Sequence, residues 1–147
     1  MWPWPHVIMF AGMFTAHLWG MPTFMLDTLD DLRISKQQVY MATAMSLFMV
    51  FLEGFMHPMP SWAWFGCVVG MLWCYGAVRR QWWIGDKDYI ADMIPHHSMA
   101  VLTSRKILEK TKAPHIKALA SSILQQQETE IARMKNIQVV DGRSRLL

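Results

Sequence analysis

The stretch VYMATAMSLFMVFLEGFMH (residues 39–57), then PMP (58–60), then SWAWFGCVVGMLWCYGAV (61–78), decides what kind of fold this chain adopts. The first of these runs carries one formal charge, Glu53, and the last carries none. A helix at a boundary with water alternates apolar and polar faces, and these runs do not. A bilayer core takes roughly 20 apolar residues in a helix, and each run comes close to that length. Pro58 and Pro60 end one helix and make a tight connection to the next. Toward the N-terminus, His6 to Leu26 is a third run without formal charge. The expected membrane domain is therefore residues 1–80, with spans at 6–26, 39–57 and 61–78. Met1 to His6 holds no Lys or Arg, and Gly20-Met21-Pro22 is a poor cleavage site, so the first run reads as a retained helix and not a signal peptide. Trp2, Trp4, Trp62 and Trp64 mark one interface, and Trp82 and Trp83 the other, because an indole has an apolar body and an N–H that wants a partner.

Hydrophobic residues make up 53% of the 147-residue chain, but they are concentrated before residue 80 and the charges after it. A net charge of +3, spread along the polar half, gives no reason to expect nucleic acid. Cys67 and Cys74 lie in one apolar run at helical spacing, where a disulfide is geometrically poor. Arg33, Lys36, Arg79, Arg80 and Lys87 fall on one side of the expected membrane, which by the positive-inside rule is the cytoplasm.

From Asp86 the pattern changes. Ile90, Met93, Ile94, His97, Val101, Ser104 and Leu108 recur at helical spacing, with Asp86 or Asp88 available to cap the start. The pattern breaks at Lys110-Thr111-Lys112-Ala113. Pro114 suits the first position of a second helix, which carries Ile116, Leu119, Ala120, Ile123, Gln127, Ile131 and Met134 on one face. So short a turn predicts an antiparallel hairpin over residues 86–137, followed by a flexible tail at 138–147. In Met93-Ile94-Pro95-His96-His97, Met93 lies one turn from both histidines. Folding the hairpin about residue 112 sets His96 and His97 opposite Gln127 to Glu130, and Met93 opposite Met134. Imidazole and thioether together suit copper, above all Cu(I). Glu130 then either joins the ligands or orients a histidine through its ring N–H. The competing reading makes the methionines packing residues and the histidines half-exposed polar ones.

The segment from Asp88 to Ala100, with Leu102-Thr103-Ser104 after it and then Leu119-Ala120, Gln127, Glu130-Ile131 and Met134, resembles the family known as domain of unknown function 305. The resemblance covers about residues 86–137. It implies a ferritin-like helical hairpin and, for some members, copper binding or copper tolerance, carried here by Met93, His96, His97, Glu130 and Met134. Some members also have three N-terminal membrane helices with a methionine-rich second helix, which Tyr40-Met41, Met45 and Met49 resemble. In many such relatives the hairpin is expected outside the cytoplasm, against the charge count. They also tend to carry basic residues where this chain has His57-Pro58-Met59-Pro60, so the sidedness stays open.

The membrane half adds a ladder. Met9, Met13, His17, Met21 and Met25 are each four apart, as are Met41, Met45, Met49, Glu53 and His57. An antiparallel pair turning near residue 33 sets His17 against Met49, Met13 against Glu53 and Met9 against His57. Ionisable groups inside a span are costly and usually face a partner, cavity or pathway, so His17, Glu53 and His57, with Gln127 of the hairpin, are additional candidate ligands. No phosphate loop, nucleophile elbow or four-helix carboxylate set is present, and no enzymatic activity is expected. The expectation is an all-α, multi-pass protein of a bacterial cytoplasmic membrane: three transmembrane helices, then a ferritin-like antiparallel helical hairpin that binds copper for storage, sensing or handover. The alternative is a structural accessory subunit of a larger membrane complex with no metal role. In either case two helices bury little surface, so the hairpin is expected to pack on a copy of itself or on a partner, with the lipid bilayer around the first half.

Overall fold

The computed structural model describes the backbone of residues 4–144 and the side chains of residues 4–138. Five long helices account for most of it: α1 Trp4–Met25, α2 Lys36–Met56, α3 Ser61–Arg79, α4 Asp86–Lys110 and α5 Pro114–Ser144. The first three are long and apolar enough to cross a membrane; 22 residues of helix rise about 33 Å. The chain divides into two compact units, one of residues 4–21 and 34–84 and one of residues 22–33 and 85–144.

In the first unit α2 is central, packing along α1 on one side and α3 on the other. It begins three residues before the apolar run because Ser35 and Gln38 form a capping box: Ser35 Oγ accepts from the Gln38 N–H at 3.1 Å, and Gln38 Oε1 accepts from the Ser35 N–H at 3.2 Å. α1 is not uniform. Residues Ala16–Gly20 form a π-helical turn that contains His17. Where α3 ends, Gln81 and Trp83 adopt left-handed backbone (φ 53° and 54°), and an aromatic corner forms. Trp73 stands edge-on to Tyr40 at 5.7 Å, and Trp82 and Trp83 lie 6.4 and 6.1 Å from it. The Tyr40 hydroxyl donates to the Trp82 carbonyl and the Lys36 ammonium to that of Trp83. The two tryptophans placed at an interface by sequence therefore also tie the start of α2 to the end of α3.

In the second unit α4 and α5 pack along each other, joined by residues 111–113. Ile94 and Val101 of α4 and Ala120 and Ile131 of α5 are buried. Of the two expected caps of α4, Asp88 serves, from inside the first turn. Gly85 precedes the helix, and Asp88 reaches back to accept the Gly85 N–H at 3.3 Å. Pro114 does open α5, which runs on without a break at residue 138 to Ser144. No proline or glycine before Gly142 interrupts it, and residues 145–147 of the expected tail lie outside the described residues.

The connection between α1 and α2 is an integral part of this unit. Leu26 is buried in it, and a 3-10 turn, Leu29–Asp31, packs on α4. Asp31 is only 4% exposed. One of its carboxylate oxygens accepts from the Ser98 hydroxyl at 2.7 Å and from Thr28 at 3.1 Å, and the other lies 2.5 Å from the Lys135 ammonium of α5. Ser98, fully buried, also accepts the Asp27 N–H at 3.0 Å. Arg105 grips both oxygens of Asp27 and, with its other nitrogen, Glu128 of α5. Burial alone would push the Asp31 pKa up; hydrogen bonds from Lys135, Ser98 and Thr28, with the lysine charge, outweigh it and hold the carboxyl below the usual aspartate range.

Candidate metal site on the α4–α5 pair

Pro95 sits inside α4 and is buried, between Ile94 and the two histidines. His96 on its far side is exposed, and His97 is half-buried, its ring centre 6.1 Å from that of His96. Both nitrogens of His97 are engaged. Nδ1 donates to the Met93 carbonyl oxygen one turn earlier at 2.8 Å, and Nε2 lies 2.8 Å from Glu130 Oε2 on α5. A carbonyl can only accept, so the proton on Nδ1 is fixed. The other nitrogen faces the Glu130 carboxylate. The other Glu130 oxygen accepts from Gln126 at 3.1 Å. These two bonds, Gln126 first and His97 second, hold the Glu130 pKa below the ordinary glutamate value against the opposing effect of desolvation.

Of the residues singled out by sequence, the structure thus brings His97 and Glu130 into contact across the pair and places Met93, Gln127 and Met134 half-buried on it. The amide that reaches Glu130 is that of Gln126, not Gln127. Sequence reasoning missed Ser98, Asp31, Asp27, Arg105 and Lys135. A usable signal for the first was its place four after Ile94 and three before Val101, a polar residue in a buried stripe. Among the described residues no three or more of His, Cys, Asp and Glu gather closely enough to hold a metal ion. Any set built here therefore has to draw on the thioethers.

The further candidates lie in the first unit. His17 is half-buried in the π-helical turn of α1. Glu53 and His57, one turn apart on α2, pair at 2.7 Å. In the ladder, Met9, Met13, Met49 and Glu53 are half-buried, whereas Met21, Met25, Met41 and Met45 are exposed.

Comparison with known proteins agrees with the second unit as the recognisable one. An uncharacterized protein of Acanthamoeba polyphaga mimivirus is 49% identical over 61 residues, which is 42% of this chain and 40% of the relative. The chain thus spans well under half the length of that relative. No solved structure matches. Residues 84–138, containing α4, the turn and most of α5, match the family described as Domain of unknown function (DUF305).

Proposed function

We propose that this is a membrane-anchored copper-binding protein, whose α4–α5 pair is a ferritin-like antiparallel hairpin holding Cu(I) through Met93, His96, His97 and Met134. The observation that carries the reading is the 2.8 Å contact of His97 with Glu130, which sets the Met-His-His turn of α4 against the Glu-Met turn of α5. The donor chemistry fits: two thioethers and two imidazoles suit a soft monovalent ion. Because Nε2 of His97 faces Glu130, that ring gives up the carboxylate when the metal binds; the Met93 carbonyl on Nδ1 then orients the ring, and Glu130 stays beside the ligands as a counter-charge. Storage, sensing and handover are all compatible with such a site on a membrane anchor, and the resemblance to copper-associated members favours a bacterial cytoplasmic membrane.

Metal analysis of the purified full-length chain tests it. Wild type should retain copper through desalting, and the His96→Ala/His97→Ala variant should not. Glu130→Gln removes the carboxylate that balances the ion's charge beside the ligands and should weaken Cu(I) binding by about 10- to 100-fold. Equal copper content in wild type and the double-histidine variant would sink the reading.

The accessory-subunit reading has one observation of its own. Tyr89, Ile107, Leu119 and Ile137 stand 41–58% exposed on a pair of helices that buries few large side chains. A stoichiometric large partner after gentle solubilisation, with no copper, would favour it; a lone oligomer would not.

A further inference from the structure

On α1, His6, Met9 and Met13 are three and four residues apart and share one face of the helix. On α2, Glu53 and His57 share another, Glu53 Oε1 lying 2.7 Å from His57 Nδ1. α1 packs along α2, and the two groups meet at the same end of the membrane unit. Met9, Met13 and Glu53 line one pocket of about 570 Å³. His6 and His57 line another of about 510 Å³, and Pro5 forms a wall of both. Nδ1 of His6 is buried without a hydrogen-bond partner, and the Glu53 side chain is only 16% exposed. An unpaired ring nitrogen is costly in apolar surroundings, and a bound cation would satisfy it.

We propose that these residues form a second soft-metal site, in the membrane unit, taking a monovalent ion such as Cu(I) or Ag(I). The Met9 and Met13 thioethers and the His6 ring nitrogen are the ligands, and the Glu53–His57 pair balances the charge. Two thioethers and an imidazole select soft monovalent ions over the hard divalent ones that a lone carboxylate would attract. Phe10, Val50 and Trp62 wall the pocket that His6 and His57 line. The site shares no ligand with the α4–α5 pair and stands whether or not that pair binds copper.

The test uses full-length protein in detergent with Ag(I) as a redox-inert probe. It is done in a Cys67→Ala/Cys74→Ala background, because the two thiols would bind silver themselves. Met9→Leu/Met13→Leu nearly conserves volume and should remove about one equivalent of tightly held Ag(I) while helix content stays unchanged. The same loss should be seen when His96→Ala/His97→Ala is already present, which separates this site from the one proposed above. Silver content unchanged by Met9→Leu/Met13→Leu would overturn the proposal, and would mean that lipid fills the pockets. A second measurement avoids touching α1. With Met93, His96, His97 and Met134 all replaced, X-ray absorption should still show silver bound to sulfur; no bound silver in that protein would equally overturn it.

Discussion

Replacing Asp31 with leucine should destabilise the second unit by about 2–3 kcal/mol and free the α1–α2 connection from it, the larger part of the cost coming from groups left unpaired. The leucine would strand the Ser98 hydroxyl, which is fully buried, and the Lys135 ammonium, whose side chain is 37% exposed. That partial exposure places the figure below the range for a fully buried pair. Asp31→Asn keeps an acceptor for Ser98 and should cost less. Asp30→Leu, one residue away and exposed, should change stability by no more than about 0.5 kcal/mol. Acid should reproduce the effect. The native Asp31 pKa lies below the ordinary 3.8, so the contribution is complete above that value and is lost as pH falls through the depressed native one. Thermal melting of the protein in nanodiscs reads the stability, and trypsin cleavage at Arg33 and Lys36 reads the release. Asp31→Leu with wild-type melting and cleavage would show that the network contributes nothing.

That network also bears on how the chain threads a bilayer. With three crossings, the α1–α2 connection and everything after α3 emerge on the same side. The contacts of Asp31 with Ser98 and Lys135, and of Asp27 with Arg105, require them to meet there. If only one of α2 and α3 crossed, the connection and everything after α3 would lie on opposite sides. These contacts are met when α2 and α3 both cross, which is what helix length and composition give.

The three long apolar helices were legible because their signal is one of mean composition. Sequence bounds of 6–26, 39–57 and 61–78 fall within a few residues of the observed ends, the errors coming from polar caps such as Ser35 that hydropathy cannot see. The meeting of His97 and Glu130 was legible too, since a three-residue turn fixes the register of two packed helices. What escaped was long-range in sequence. Asp31 and Ser98 are 67 positions apart, and no periodicity links a loop carboxylate to a serine in a helix. Gln126, one turn before Glu130 and bonded to it, lay outside the residues the sequence singled out. The π-helical turn at His17 had no sequence signature at all.

The second large effect is expected at Gly54, where α2 meets α3. A Cβ there would lie 2.7 Å from Trp64 Cζ2 and 2.8 Å from Met59 Cε. The methionine can swing aside, but the indole cannot. Trp64 stands edge-on to Phe51 at 4.7 Å and to Phe55 at 4.8 Å, so moving it breaks both aromatic contacts and pries the helices apart. Gly54→Ala should therefore cost about 1–3 kcal/mol, as overpacking does, and Gly54→Val more. Gly70 makes the contrast. Its added Cβ would meet Leu47 Cδ1 at 2.6 Å, closer still, but that methyl is the far end of a side chain that can change rotamer. The roughly 1 kcal/mol that alanine gains over glycine in a helix then offsets most of the adjustment, and Gly70→Ala should be near neutral. Gly66→Ala, with nothing within 4 Å, should be neutral or stabilising. Small residues let membrane helices approach closely because packing, and not exclusion of water, holds them together. If so, the order of melting temperatures in detergent should follow the rigidity of the neighbour and not the length of the contact. Gly54→Ala melting at or above Gly70→Ala would show that Trp64 is not wedged, and that the α2–α3 interface tolerates the separation that an alanine imposes.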